Sequence, residues 1–325
     1  MKSFMSMALA SVLAVVSGIA FAAYPERPIT FVVPFAAGGA TDVLARQFAE
    51  RMGRGAAQSI IVENVPGAGG TIGAAKVAQS KPDGYTFLIG HVGYMAAAAG
   101  LYKQLPYDPV KDFDAVARFP DTPLVLICDP SKPYTSDIGK LVKYARDNPG
   151  RLTIANAGIG SSGHLVAALV ASKLKLQVTH VPYKGNAPAY TDIMGGRVDC
   201  LFDQSNTAMP QVKSGKVRGV VTTPIQRLPQ MPGIPTLAET ELPGFEAATW
   251  YGIFAPKGTP PGAIHWVFER FHEAMKDEAF TKKLVDAGYV LIPPADQRPE
   301  ALAAYTRQQV DLWKKVIAEA GIPRQ

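Results

Sequence analysis

The stretch that decides the fold is ITFVVPFAAGGATDVLARQFAERMG, residues 29–53. Its first part, ITFVVPF (29–35), is a short apolar run rich in β-branched and aromatic residues, which predicts a buried strand. Its last part, TDVLARQFAERMG (41–53), mixes apolar and charged residues as an amphipathic helix does. Between them, Gly38 and Gly39 let the chain turn directly into the helix start. Strand, glycine turn and helix N-terminus together form the unit of an open α/β sheet. The N–H groups freed at such a helix start, reinforced by the macrodipole, make an anion site that needs no fixed cation.

Working outward, the same alternation continues. SIIVENV (59–65) is the next strand, GGTIGAAKVAQS (69–80) a helix opening in a glycine turn, and YTFLIGH (85–91) a third strand behind the Pro-Asp-Gly turn at 82–84. PLVLI (123–127) opens a second α/β unit. It holds helices at 136–147, 162–173 and 187–195, strands at 151–157, 178–183, 198–203 and 217–223, and a short helix before the last. A Pro-rich loop, 224–244, leads to TWYGIFAP (249–256), and helices at 260–276 and 298–320, with a short one between, finish the chain. One unit, then a second, then a return to the first predict an α/β fold of two lobes. The crossings fall near 119–127 and 245–252, with a ligand cleft between the lobes.

Lys2 is the only charge before Glu26, an apolar run extends from Phe4 to Phe21, and Ala20-Phe21-Ala22 gives small-x-small cleavage chemistry. These predict a secretory signal peptide at 1–22, cleaved near Ala22-Ala23, in preference to a membrane anchor, and hence a protein that works outside the cytoplasm. The expected division of the rest is lobe 1 at 23–122, lobe 2 at 123–245 and a return to lobe 1 at 246–325. A hydrophobic fraction of 47% with 18% charged residues belongs to a globular protein, and a net charge of +6 without any Lys/Arg block gives nucleic-acid binding no support. Cys128 and Cys200 lie in strand-like runs; an oxidising compartment permits a disulfide, but we read them as unpaired, buried core residues. His91, His164, His180, His265 and His272 show no ligand spacing, so no metal and no cofactor are expected.

The strand–turn–helix design recurs at 34–42, 66–71 and 156–164, where Thr71, Ser161 and Ser162 can add hydroxyl donors, and again at 181–189 with Lys184 at the turn. Gly158-Ile159-Gly160-Ser161-Ser162-Gly163 spells the glycine pattern of dinucleotide-binding turns, but the next strand offers no acidic residue for a ribose hydroxyl. The Ser161/Ser162 turn lacks nucleophile-elbow spacing, and His164 lies in the same helix as the serines, a poor position for a base. No catalytic set is expected, and Asp42 reads as a brace for its own loop.

Taken together, several segments resemble the extracytoplasmic solute-binding receptors of tripartite tricarboxylate transporters, the Bug or TctC family. They are YPERPITFVVPFAAGGATDVLAR (24–46), IVENVPGAGGTIGAAKVAQSKPDGYTFLIG (61–90), VPYKGNAPA (181–189), GGRVDCLFD (195–203), PTLAE (235–239), LPGFEAATWYGIFAPKGTP (242–260) and LWKKVIAEAGI (312–322). The resemblance implies a two-lobed periplasmic binding protein, type II-like, that closes over a small carboxylate and delivers it to membrane permease subunits. A monomer without enzymatic activity is expected; the alternatives are a serine hydrolase using Ser161 or Ser162 and a ligand-presenting subunit of a sensor kinase. By position the resemblance puts Phe35, Ala36, Ala37, Gly38, Gly39 and Asp42 on one wall of the cleft, with Ala68, Gly69 and His91. It puts Asn156, Ser161, Ser162, Lys184, Gly185 and Asp203 on the other, the anion being held largely by backbone groups and bridging waters. NAGIGSSGH (156–164) and Ala36-Ala37 depart from the family pattern, both where ligand identity is decided.

Overall fold

Consecutive side chains of ITFVV turn to opposite faces of the strand, and both faces are buried. Ile29, Phe31 and Val33 join one apolar cluster, and Val32 joins another. A central strand of a sheet covered by helices on both sides requires this. The structure is a computed structural model that describes residues 24–319 together with Ile322 and Arg324, so the expected signal peptide and its cleavage point lie outside the described residues.

The first unit comprises β1 (Ile29–Val33), α1 (Ala40–Gly53), β2 (Ile60–Asn64), α2 (Thr71–Ala78), β3 (Thr86–His91), α3 (Ala98–Leu101) and β4 (Phe113–Arg118). The second comprises β5 (Thr122–Cys128), α4 (Ile138–Asp147), β6 (Thr153–Asn156), α5 (Ser162–Lys173), β7 (Thr179–Pro182), α6 (Asn186–Met194), β8 (Cys200–Gln204), α7 (Ser205–Lys213) and β9 (Arg218–Thr222). The return comprises β10 (Ala248–Thr249), β11 (Tyr251–Pro256), α8 (Pro261–Lys276), α9 (Glu278–Asp286) and α10 (Pro299–Glu319).

The first sheet has the order β2-β1-β3-β11-β4; the second runs β7-β6-β8-β5, with β9 and the two-residue β10 also pairing with β5. The two sheets follow one plan. Each contains a parallel trio, and each receives an antiparallel strand adjoining a crossing between the lobes: β11 between β3 and β4, and β5 between β8 and β9. In the second sheet too, alternate side chains enter separate clusters, Leu124, Leu126 and Cys128 on one face and Val125 and Ile127 on the other. The result is the expected two-lobed α/β fold with two crossing segments, and those segments pair with each other where Thr249 lies opposite Thr122.

A further set of contacts ties the lobes together. Asp121 and Val290 exchange two backbone hydrogen bonds of 2.9 Å. Beside them, Ser205 Oγ donates to the Gly288 carbonyl (2.7 Å) and Asn206 Nδ2 to the Tyr289 hydroxyl (2.9 Å). Gly288 has φ +93°, and a Cβ there would lie only 3.1 Å from Ser205. The loop after α9 is thus fastened to the start of α7.

The structure adds elements the sequence did not announce and overturns one expectation. Residues 93–101 form a π-helical turn running into α3, and FDAVAR forms β4, whose pairing with β11 shifts register at Ile253/Phe254. Cys128 and Cys200, expected to be unpaired, form a disulfide (S–S 2.01 Å). The antiparallel register of β5 and β8 sets them directly opposite, with Cα atoms 4.0 Å apart, a juxtaposition that no local pattern announces across 72 residues.

The bridge lies at the far end of β8 from Gln204 and the lobe boundary. Replacing both cysteines with alanine is therefore expected to lower the unfolding free energy by roughly 4 kcal/mol, the loop-closure value for a crosslink of this span. Urea denaturation of the double variant would show the loss, and ligand affinity of the folded fraction should remain at the wild-type value.

Candidate functional site

Helices α1, α2, α5 and α6 each begin at a turn that follows the carboxyl end of a strand, and the turns before α2 and α5 lie at the boundary between the lobes. The two lobes approach closely there. A Cβ on Gly69 would lie 3.1 Å from the Ile159 carbonyl oxygen, and one on Gly93 only 2.6 Å from that of Gly160. The PGAGG turn of lobe 1 and the GIGS turn of lobe 2 therefore meet backbone to backbone. Tyr102 donates to the Ala68 carbonyl at 3.2 Å and steadies the first of them.

The β1–α1 loop is framed from beneath by an acid. Asp42 Oδ2 accepts from the Gly38 N–H (2.9 Å) and from Arg46 Nε (3.0 Å), while Oδ1 accepts from Asn64 Nδ2 (2.9 Å), which also donates to the Phe35 carbonyl (3.0 Å). Burial raises the Asp42 carboxyl, but these hydrogen bonds outweigh it and hold it below the usual carboxylate range. Its oxygens are committed inside lobe 1, so it shapes the loop. Ala36, Ala37, Gly38 and Gly39 stay exposed, and α1 starts after Gly39 with no side-chain cap.

His91, at the end of β3, is 2% exposed and is packed by Phe35, Tyr94 and Tyr251, whose rings lie 5.3–5.6 Å away. Burial pushes its imidazole down to about 3, so the ring is neutral at physiological pH. Nδ1 accepts from the Gly93 N–H at 2.9 Å, which leaves the ring proton on Nε2. Nε2 lies 2.8 Å from Ser162 Oγ across the lobe boundary, so the histidine donates and the serine accepts. A nucleophilic serine needs the opposite polarity, with the ring nitrogen taking its proton.

On lobe 2, Ser161 caps α5 by accepting from the His164 N–H (3.4 Å), and Gly185 precedes α6 without giving it a side-chain cap while its N–H donates to the Ala157 carbonyl (3.3 Å). Lys184 is exposed. Asn156 is 1% exposed, and its Oδ1 accepts from the Gly158 N–H (3.1 Å). Asp203 is buried, and burial pushes its carboxyl up against the opposing hydrogen bonds from Tyr190, Thr207, the Gln204 N–H and Asn186. Like Asp42, it organises its own lobe, tying the starts of α6 and α7 together.

Among the expected residues, then, His91 and Ser162 are joined across the boundary, Phe35 packs on His91, and Ala68 and Gly69 adjoin the 158–161 turn. Sequence reasoning missed three contributors: Asn64, Asn186, and Gln204, whose Oε1 accepts from the Tyr251 hydroxyl across the lobes (2.7 Å). For Asn64 and Gln204 the only available signal was a polar residue at the carboxyl end of an apolar strand. Among the described residues no group of three or more His, Cys, Asp or Glu is placed to hold a metal ion, and no helix is long and apolar enough to cross a membrane.

Residues 44–322 match the family model of the tripartite tricarboxylate transporter family receptor. Among solved structures, the chain is similar to the periplasmic binding protein BugD, with 38% identity and a TM-score of 0.85 over 93% of this chain and 100% of BugD. It is also similar to an R. palustris protein with adipate (34%, 0.86, over 93% of this chain and 100% of that one). MatC from Rhodopseudomonas palustris with bound malate gives 35% and 0.84, over 90% and 100%.

The neutral His91 makes a pH prediction. Between about pH 3 and the ordinary value of 6.5, the unfolded chain binds a proton at this residue that the folded chain does not, so stability rises with pH across that window and is lost on acidification. His164, pushed down to about 4, and His180 act in the same direction. His91→Gln should therefore remove one proton's share, about 1.4 kcal/mol per pH unit, from the slope of unfolding free energy against pH between pH 4.5 and 6. Chemical denaturation at several pH values measures that slope, and an unchanged slope would contradict the buried neutral assignment.

Proposed function

The chain belongs to the tripartite tricarboxylate transporter receptor family, whose members are periplasmic solute-binding proteins, and from that premise we propose that it captures a small carboxylate between its lobes and delivers it to the permease subunits of such a transporter. The observation that supports the proposal is a pair of helix starts without side-chain caps, one on each lobe: α1 after Gly39 and α6 after Gly185. Their free N–H groups and aligned dipoles suit a carboxylate group. The short dicarboxylates in two relatives, adipate and malate, support the same ligand class.

In this scheme the signal peptide at 1–22 exports the chain. One carboxylate settles against the exposed Ala36–Gly39 backbone, directly or through water, with Phe35 against the ligand's body. The Asn156, Ser161–Ser162 and Lys184–Gly185 turns engage the other end. Because the ligand touches both lobes only when they are together, binding favours the closed population, and the His91–Ser162 hydrogen bond is a contact of that state. Asp42 and Asp203 serve by holding these turns in shape.

Calorimetry and thermal unfolding test the proposal. A di- or hydroxycarboxylate should bind with one-to-one stoichiometry, without turnover, and at a hundredfold excess over Kd should stabilise the fold by about 2.7 kcal/mol. Uptake by vesicles carrying the cognate permease should depend on added receptor. A response to neutral sugars or polyamines, with none to carboxylates, would overturn the ligand class.

A further inference from the structure

Among the lobe 2 amides that leave a buried atom without a hydrogen-bond partner, Asn156 and Asn186 are the pair on adjoining strand-to-helix turns, and their two atoms are of opposite kind. Asn156 ends β6, and because its Oδ1 accepts from the Gly158 N–H, its unpartnered atom is the donor Nδ2. Asn186 begins α6, and because its Nδ2 donates to Asp203 Oδ1, its unpartnered atom is the acceptor Oδ1.

Neither amide is free to turn over. Asp203 Oδ1 also accepts from the Gln204 N–H (2.8 Å), and its Oδ2 accepts from the hydroxyls of Tyr190 and Thr207 (2.7 Å each). The carboxylate is an acceptor on every side, so rotating the Asn186 amide would set oxygen against oxygen. Rotating Asn156 would set its NH2 against the Gly158 N–H. The two residues stand on adjoining strand-to-helix turns of the cleft side: β6 and β7 are parallel neighbours, the Tyr183 N–H donates to the Asn156 carbonyl (2.9 Å), and the Gly185 N–H donates to that of Ala157 (3.3 Å).

A buried donor needs an acceptor and a buried acceptor needs a donor, and leaving either unmet is costly. An ionised alkanedioate offers acceptors alone. It can serve Asn156 Nδ2 but brings only lone pairs to Asn186 Oδ1. A carboxylate that also carries a hydroxyl or an ammonium group can serve both. We propose that Asn186 makes this receptor select carboxylates bearing a hydrogen-bond donor over plain dicarboxylates of the same length. The proposal rests on the carboxylate-binding function above and names a narrower substrate class for the same cleft.

Succinate, malate and aspartate share a four-carbon chain and differ in carrying hydrogen, hydroxyl or ammonium at one position, so their affinities form the test. By calorimetry, malate or aspartate should bind the wild-type protein at least about tenfold tighter than succinate, the order between them telling which donor the site takes. Asn186→Ala should bring all three within about twofold of one another, whatever its effect on their common affinity. Asn156→Ala, which removes a donor every carboxylate can use, should weaken all three alike. Equal affinities in the wild-type protein, or a preference surviving in Asn186→Ala, would overturn the role of Asn186 while leaving carboxylate binding intact. Should Asn186→Ala not fold, the wild-type ratio decides alone. Failure of every carboxylate tested, adipate included, would overturn the function itself.

Discussion

Strand β11 hydrogen-bonds to β3 along one edge and to β4 along the other, and the rest of the molecule depends on that insertion. Without it β4 has no neighbour in the first sheet, and the C-terminal helices have no reason to return to lobe 1. β5 does the same between β8 and β9. Each sheet is therefore completed by a strand that adjoins a crossing, so neither lobe is finished until the chain has passed between them. The crossings meet as a short antiparallel pair, and the contacts of Asp121, Ser205 and Asn206 with residues 288–290 brace the same region. At the PGAGG and GIGS turns the lobes touch through close packing and the His91–Ser162 bond, with the Tyr251–Gln204 bond beside His91.

The chemistry at the boundary comes from neutral groups. His91 is uncharged because it is buried, and its tautomer follows from one backbone N–H. The two acids of the expected set face inward and are hydrogen-bonded within their own lobes, where they fix the turns that carry free N–H groups. A cleft made this way attracts an anion through backbone dipoles and discriminates through the geometry of a few amides and hydroxyls.

The strand–turn–helix units at 29–53, 59–80 and 151–173 were legible because each is local. An apolar run, a glycine and an amphipathic run lie next to one another in the chain, and the structure forms β1–α1, β2–α2 and β6–α5 there. The G-x-G-x-x-G pattern at 158–163 shows how such a motif can be right about structure and silent about ligand. Gly158 and Gly160 take positive φ, and a Cβ on Gly163 would clash with the Phe202 carbonyl, so the turn and the packing of α5 on β8 explain these glycines without a nucleotide. β4 escaped notice because its burial is uneven and its partner lies over 130 residues away; residues 93–101 escaped because a run of alanines has no amphipathic face.

The sequence by itself determined the class of fold, the order of its elements, the two crossings and the family, because these follow from local periodicity, turn chemistry and motifs in a fixed order. Tertiary structure alone decided that Cys128 meets Cys200, that His91 reaches Ser162, that Asp42 and Asp203 turn inward, and that Asn156 and Asn186 keep one atom each unpaired. All of these depend on strand register and on the approach of one lobe to the other. Register pairs residues that are distant in the chain, and a sequence read along its length carries no record of which distant residues come to lie a few ångströms apart.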